Sequence, residues 1–375
     1  MRRSSRLTVA LDVLPLAGSP TGVGMSCGQL LRSLAARSDV EVSAFAVARG
    51  AAAVRDLLPA GVAFRSVPIP TRVVHAAWRV VGVPSAEVIA GRVSVVHGTN
   101  FVVPPARRTA TVVTVNDATP WKYPDLCAAA SRAYPALVRR AVRTGAFVHT
   151  ASHYVAGELS ELISVRLDSI RVIAYGPPAS AASPPVDRPL GVAKPPYILA
   201  IGTVEPRKDY PRLVEAFAEL AALDTELRLV IAGADGWGSG ALDQAISASG
   251  CGDRILRLGY VNDSVRASLL GGAAVLAYPS LYEGFGFPPL EAMAAGIPVV
   301  ATAGGAVPEV VGDGAVVVPL GDTAALAAAL ARVISDEQLR ADLVARGREQ
   351  VGRLSWDDTA EAMVGLYVDA AHARA

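Results

Sequence analysis

The sequence predicts an α/β protein of two doubly wound, Rossmann-like domains, with a cleft between them as the natural place for a ligand. Three observations carry that prediction. Apolar strand, glycine or proline loop, and alanine- and leucine-rich helix succeed one another along most of the chain, the pattern of βαβ units and parallel sheets. One stretch cannot build a core: GPPASAASPPVDRPLGVAKPP, residues 176–196, holds seven prolines among small residues. The 375 residues also exceed a single ordinary core and suit two domains. The division expected is a first domain at 1–180, a Pro-rich linker at 181–196, a second domain at 197–354, and a C-terminal helix at 355–375 packing back on the first domain.

Before the linker, strands are expected at Leu7 to Leu14, Val40 to Val47, Val93 to His97, Ala110 to Val115, Phe147 to Ala151 and Ile170 to Ile173. Helices are expected at Met25 to Ala36, Ser131 to Arg143 and Val155 to Leu162. The first strand follows two arginines and so imitates a signal peptide, but Asp12 breaks its apolar run, which favours a strand buried on both faces. After the linker, strands are expected at Tyr197 to Gly202, Leu227 to Ala232, Ile255 to Leu258, Ala274 to Tyr278, Val299 to Ala301 and Ala315 to Val318. Their helices fall at Pro211 to Ala222, Val265 to Gly271, Pro289 to Ala295 and Thr323 to Ile334. The final helix has Ser355 as its N-cap, with Asp357 and Asp358 in the first turn.

Composition excludes several classes. At 52% hydrophobic and 18% charged residues the chain is not an extended disordered protein, and no apolar run reaches the ~18 residues of a membrane span. Cys27, Cys127 and Cys251 are odd in number and far apart, which points to a reducing, cytoplasmic setting and to no cysteine metal site. His149 and His153 are spaced i, i+4, but strand and loop signals surround His149, so no metal pair is expected there. The net charge of +1 hides an asymmetry: residues 1–185 hold 20 Lys+Arg against 10 Asp+Glu, residues 186–375 hold 15 against 24. A basic half attracts an anionic membrane, a phosphorylated lipid or nucleic acid, and equally suits two halves that attract each other.

Two strings carry chemistry. In YPSLYEGFGFPPLEAMAAGIPVVAT, residues 278–302, a strand ends, a glycine loop turns, and a helix starts near two prolines. Glu283 would face a ligand from the strand end, and Glu291, eight residues later, would lie in the first helical turn. Taken singly, Glu291 also reads as a helix-dipole glutamate and Glu283 as a solvated loop residue. In GTVEPRKDYPRLVEAF, residues 202–217, Arg207 and Lys208 stand between a strand and a helix, where adjacent cations can hold a diphosphate. Only three lysines occur against 32 arginines, so the survival of Lys208 supports a need for a compact ammonium there.

Together, GTVEPRK, EGFGFPPLEAMAAGIPVVAT and the following VPEVVGDGA resemble the retaining glycosyltransferases of the GT-B fold, family four, from about Tyr197 to the C-terminus. The first half is similar but less tightly: SPTGVGMSCGQLLRSL at 19–34 resembles the family's glycine-rich first loop, and VVHGTNFVVPP at 95–105 and TVVTVNDATPWKYPD at 111–125 match its next two segments. The resemblance implies that Glu283 contacts the donor sugar, Glu291 the nucleotide ribose, and Arg207 and Lys208 the diphosphate. It also implies donor contacts from Gly22, Val23, Gly24, Gly202, Gly284, Phe285, Gly286 and Phe287. Where the family commonly has histidine then aspartate, this chain has Asn116 and Asp117. Asparagine donates hydrogen bonds but transfers no proton. His97 is the alternative sugar or acceptor contact, although a buried strand-end histidine is the plainer reading.

The implied reaction is transfer of a hexose, first of all mannose from GDP-mannose and next a UDP- or dTDP-sugar, to a glycan, lipid-linked or small-molecule acceptor with retention of configuration. No D-x-D string is present, so neither metal nor cofactor is expected. A lipid-linked acceptor suits the basic half and TRVVHAAWRVVGV, residues 71–83, which reads equally as a peripheral membrane helix and as a core helix. No nucleic-acid partner is expected. Two other readings are a catalytically idle sugar-nucleotide-binding relative, permitted by Asn116, and a nicotinamide oxidoreductase. The latter is disfavoured because Gly22 to Gly28 has the wrong spacing for a dinucleotide fingerprint.

Overall fold

The computed structural model describes residues 6–18, 21–127, 129–178 and 197–374. It divides into two compact units, Met1–Gly176 with Ser355–Ala375, and Pro177–Leu354. The linker expected at 181–196 lies outside the described residues.

The first unit is a seven-stranded parallel sheet of β1 (Leu7–Asp12), β2 (Val40–Val47), β3 (Ala63–Val67), β4 (Val95–Gly98), β5 (Ala110–Thr114), β6 (Phe147–Thr150) and β7 (Ile170–Val172), in the order β3-β2-β1-β4-β5-β6-β7. Val9 pairs with Val42 on one side and Val95 on the other, so β1 is central. Its side chains alternate between two cores, as the period of a strand requires. Val9 and Leu11 face the helices Gly22–Ala35 and Trp356–Arg374, through Leu31, Leu34, Met363 and Tyr367. Ala10 faces the opposite layer, where Thr71–Val80, Tyr134–Arg143 and His153–Leu162 supply Val74, Trp78, Val138 and Leu159. The last helix is therefore part of the first unit, started by Ser355, whose Oγ accepts the Asp358 N–H at 3.0 Å.

The second unit repeats the design with six parallel strands: β8 (Tyr197–Ile201), β9 (Arg228–Ala232), β10 (Ile255–Gly259), β11 (Val275–Tyr278), β12 (Val299–Thr302) and β13 (Ala315–Val318), in the order β10-β9-β8-β11-β12-β13. Every residue of β8, β11 and β12 is buried, which is why these segments read as continuous apolar runs. Phe217, Leu213, Leu326 and Leu330 from the helices Tyr210–Ala221 and Thr323–Ser335 fill one core face.

Several features differ from the sequence reading, among them the helices Ser239–Ala248 and Glu337–Gly352, which that reading lacks. β3 is an edge strand whose residues are all exposed or half-buried, so it lacks the apolar signature of its neighbours. Helices begin earlier than expected: Thr21 caps one at Gly22, and Gly286, with φ +113°, starts another at Phe287. In both sheets the chain winds outward from a central strand and then restarts on that strand's other side, at β1/β4 and at β8/β11. Such switch points leave a crevice at the strands' carboxyl ends, where doubly wound folds bind ligands. Among the described residues no helix is long and apolar enough to cross a membrane.

Candidate active site

The second unit's switch point collects the chain's chemistry. β8 ends at Ile201 and is followed by Gly202, whose φ of +142° turns the chain; a Cβ there would stand 3.2 Å from Lys208 Cε, so glycine leaves room for the lysine stem. Pro206 opens a single turn, Pro206–Lys208, and Asp209 at φ +48° passes the chain into the helix Tyr210–Ala221. Across the switch point, β11 runs into residues 279–286. The two loops are sewn together by the Leu281 N–H, which donates to the Arg207 carbonyl at 2.8 Å. Gly305 supports the Glu283 backbone from β12's end: the Ala306 N–H donates to the Glu283 carbonyl at 2.8 Å, and a Cβ on Gly305 would lie 2.3 Å from that oxygen.

This backbone brings three charged side chains together. Lys208 Nζ lies 2.7 Å from Glu283 Oε1, and Arg207 Nη1 lies 2.7 Å from Glu283 Oε2. Lys208 also donates to the Tyr278 hydroxyl at 3.1 Å with its ammonium 4.6 Å from that ring's centroid. Glu205 accepts from Arg207 Nε at 2.9 Å. Burial alone would raise the Glu283 carboxyl, but the Arg207 and Lys208 charges override it and hold it at about 2. Lys208 is 6% exposed, and this burial pulls its ammonium below the usual lysine range despite Glu283. Tyr278 and Tyr210 are pushed up by burial and then by the Glu283 charge, so both phenols stay protonated. With Glu205 counted, two cations face two carboxylates and the cluster is neutral, so an incoming anion would compete with Glu205 and Glu283 for the Arg207 and Lys208 donors.

Glu291 stands apart from that triad. Because its helix spans Phe287–Ala294, it falls in the second turn rather than the first, and a helix-dipole role does not apply. It is 2% exposed and forms an ion pair with the Arg266 guanidinium, whose Nε, at 2.7 Å, and Nη2 both donate to Glu291 Oε2. Arg266, from the helix Asp263–Gly272, is a site residue the sequence reading missed, as is Tyr278; an arginine in an ordinary helical pattern carries no local signal. Phe285 and Phe287 are buried and pack edge to face, centroids 5.2 Å apart, so they brace the loop around Gly284 and Gly286.

The remaining expected site residues lie in the first unit. Gly22, Val23 and Gly24 form the first turn of the helix Gly22–Ala35, where early N–H groups lack intrahelical acceptors. The Gly24 N–H is not among those open to a ligand: it donates to the Thr21 hydroxyl at 3.1 Å. Glycine is required at 24 by the Pro15 carbonyl, 2.7 Å from where a Cβ would sit. Asn116 donates to Asn100 Oδ1 at 3.1 Å and accepts from the Tyr175 hydroxyl at 3.3 Å, and Asp117 accepts the Thr119 N–H at 2.8 Å. Both side chains sit in turns beyond the carboxyl end of β5.

His97 does not serve as a sugar contact. It is fully buried, with Nδ1 2.8 Å from the Tyr367 hydroxyl and Nε2 2.7 Å from Thr114 Oγ1, which in turn lies 2.8 Å from His149 Nδ1. His149 Nε2 meets the Ile173 carbonyl at 3.1 Å. A carbonyl only accepts, so His149 carries its proton on Nε2, Thr114 donates to His149, and His97 donates from Nε2 and accepts from Tyr367. Burial, and then the other histidine's charge, keep His97 far below its ordinary pKa; burial holds His149 at about 4. The chain of hydrogen bonds ties β4, β5, β6 and the last helix together.

Comparison with known proteins agrees with this geometry. The family model described as glycosyl transferases group 1 matches residues 187–350, and that described as glycosyl transferase 4-like domain matches residues 21–176. The chain is 31% identical over 280 residues to an O-antigen chain mannosyltransferase B of Escherichia coli, covering 72% of this chain and 73% of that one. It is 37% identical over 167 residues to a phosphatidyl-myo-inositol mannosyltransferase of Mycobacterium leprae, but this match spans less than half of each protein, 44% and 43%. In structure it superimposes on sucrose-phosphate synthase from Thermosynechococcus elongatus with a TM-score of 0.72 at 21% identity, covering 97% of this chain and 99% of the other, a likeness of fold. The chain is thus a glycosyltransferase with the GT-B fold, and it belongs to the group 1 glycosyl transferases of family four type.

Proposed function

We propose that this glycosyltransferase moves a hexose, mannose from GDP-mannose in the first instance, to a glycan, lipid-linked or small-molecule acceptor, with retention of configuration and without a metal ion. The observation that carries the reading is the Arg207–Glu283–Lys208 cluster at the second unit's switch point. The mannosyltransferase names of two relatives support the choice of sugar.

The chemical difficulty is a departing diphosphate that gathers negative charge while the sugar becomes cation-like. Arg207 and Lys208 are already held in place, so their charges need no reorganisation when that charge develops. The Gly284–Gly286 backbone flanks them, and Glu283, braced by both cations, presents its carboxylate edge to the sugar. Glu291, paired with Arg266, is the ribose contact. In the first unit, the early N–H groups of Gly22 and Val23, expected to be donor contacts, are available to an anionic group. Asn116 and Asp117 offer hydrogen bonds to hydroxyls.

Retention follows from a front-face route. The bond from the anomeric carbon to the leaving phosphate oxygen breaks, the acceptor oxygen bonds that carbon from the same face, and the acceptor proton passes to the departing phosphate. Glu283 suits this better than attack as a nucleophile, because a carboxylate at about 2 with two ion-pair partners is a weak one. Arg207 and Lys208 supply the positive charge that a bridging cation would otherwise bring. The protein is expected to act in the cytoplasm at an anionic membrane surface.

The test is product analysis by NMR with GDP-mannose and a candidate acceptor, in excess chelator. Turnover in chelator with an α-linked product from the α-linked donor supports the donor, metal independence and retention. Activity lost to chelator and restored by manganese refutes metal independence; a sugar trapped on Glu283 refutes the front-face route; nucleotide binding without transfer assigns the chain to the catalytically idle class.

A further inference from the structure

The helix Thr71–Val80 has two apolar sides. Val74 and Trp78 are buried in the first unit's core, and the Trp78 indole N–H donates to the Pro84 carbonyl at 2.9 Å, folding the next turn back against the helix. The opposite side stays in solvent: Val73 is 51% exposed, Val80 84%, Val81 64% and Val83 47%, and Ala76 lies exposed between them. Positions 73, 76 and 80 follow helical spacing along one side of the helix, and Val81 and Val83 continue the exposed apolar surface just past its C-terminus. Arg72 and Arg79 are exposed beside it.

The neighbouring helix Tyr134–Arg143 extends the same character. It meets the first through Tyr134, whose ring is 6.4 Å from that of His75, and Arg140 lies against Gly82, two residues past the first helix. Arg139 and Arg143 are exposed on it. Neither helix contains an acidic residue, and among the described residues no carboxylate pairs with Arg72, Arg79, Arg139, Arg140 or Arg143. Residues 57–157, the stretch of chain that contains both helices, hold eleven Lys+Arg and three Asp+Glu. One of those three, Glu87, is turned inward to accept the Arg107, Arg108 and Thr109 N–H groups.

We infer that these two helices form the docking face for an anionic lipid bilayer, with the valines entering the headgroup region and the arginines meeting lipid phosphates. A stripe of short apolar side chains rimmed by guanidinium groups without carboxylate partners is what an interfacial helix presents. A protein partner or second copy would have to supply carboxylates opposite five arginines, whereas an anionic leaflet supplies negative charge everywhere. The inference rests on the proposed function only in giving a lipid-linked acceptor its location.

The test is sedimentation of the full chain with vesicles of phosphatidylcholine, with and without phosphatidylglycerol, at low and high salt. Expected is binding to the phosphatidylglycerol vesicles alone, weakened by salt. Reversing two arginines in R72E/R79E is expected to weaken it roughly tenfold or more. V80E/V81E, which alters only exposed side chains, should abolish it while leaving the melting temperature and its shift by GDP unchanged. No binding by the folded wild type, binding indifferent to both variants, or self-association in solution that V80E/V81E removes would each overturn the inference. Vesicle binding without any nucleotide shift would leave it standing and would count against the proposed function instead.

Discussion

Lys208 and Glu283, separated by 75 residues of chain, meet at 2.7 Å in a nearly dry site, with 6% and 9% of their surfaces exposed. Their pairing makes β8 and β11 chemically as well as sterically adjacent. Each of the two loops is built around a glycine or proline turn that delivers one charge, and neither charge would be tolerated there without the other.

Lys208→Met should therefore report on both binding and stability. It keeps the apolar stem but removes the ammonium, leaving Glu283 with Arg207 alone. Removing a preorganised donor typically costs about 3–4 kcal/mol of transition-state stabilisation, so kcat should fall roughly 100- to 1000-fold. Initial-rate kinetics on nucleotide sugar would show it. A variant with wild-type kcat would remove Lys208 from the chemistry.

Gly305→Ala places a Cβ 2.3 Å from the Glu283 carbonyl at a φ of +65°. The left-handed backbone alone costs an alanine about 1–2 kcal/mol, and the clash is with main chain that has nowhere to turn. The expected outcome is a lowered melting temperature together with a lowered kcat/KM, since Glu283 must shift. Gly321→Ala is the control: it shares the positive φ of +78° but meets nothing within 4 Å, so it should lose stability without losing donor binding.

The Arg266–Glu291 pair predicts strong non-additivity. Arg266→Leu strands a carboxylate that is 2% exposed, at about 3–5 kcal/mol, while Arg266→Leu with Glu291→Gln should recover much of that loss. Chemical denaturation of the two single variants and the double variant gives the coupling. Additive losses would mean that the pair is solvated and only structural ornament.

The buried histidines set an acid limit. His97 and His149 have folded-state pKa values below the unfolded value of about 6.5, so the unfolded chain takes up protons first as pH falls. Their neutral forms are fully compatible with the fold above about 6.5, and stability drains away below it, by up to about 1.4 kcal/mol per pH unit for each group. For His149 this continues down to about 4. Glu283 acts later, since its stabilising charge is present above the unfolded value of about 4.3 and is lost only as pH falls towards about 2. Denaturation midpoints at pH 7.5 and 5.5 should differ less for His149→Gln than for wild type, even though the variant starts from lower stability.

The parts of this site legible from sequence are those where chemistry and local geometry share one short string. Arg207, Lys208 and Glu283 each follow a fully apolar strand and sit among glycines and prolines, so strand end and charge are visible together. What joins them is not: no local pattern tells that Lys208 reaches Tyr278, or that Glu291 is answered by Arg266 from another helix. His97 was ambiguous for the same reason, because its burial depends on Tyr367, 270 residues further on. Gly24 looked like a phosphate-loop glycine, yet its need for glycine comes from the Pro15 carbonyl. Residues 71–83 read both as core and as interfacial helix, because Val74 and Trp78 are buried while Val73, Val80, Val81 and Val83 are exposed. The edge strand β3 escaped notice because half-buried positions such as Phe64 and Ser66 do not form an apolar run.

The central claim is that the positive and acidic side chains at the second unit's switch point bind an activated sugar through its diphosphate. Isothermal titration calorimetry of GDP and GDP-mannose against the full chain and Lys208→Met tests it most directly. Saturable binding to the wild type, weakened at least about tenfold in the folded variant, is the predicted result. Equal affinity in the two proteins would contradict it.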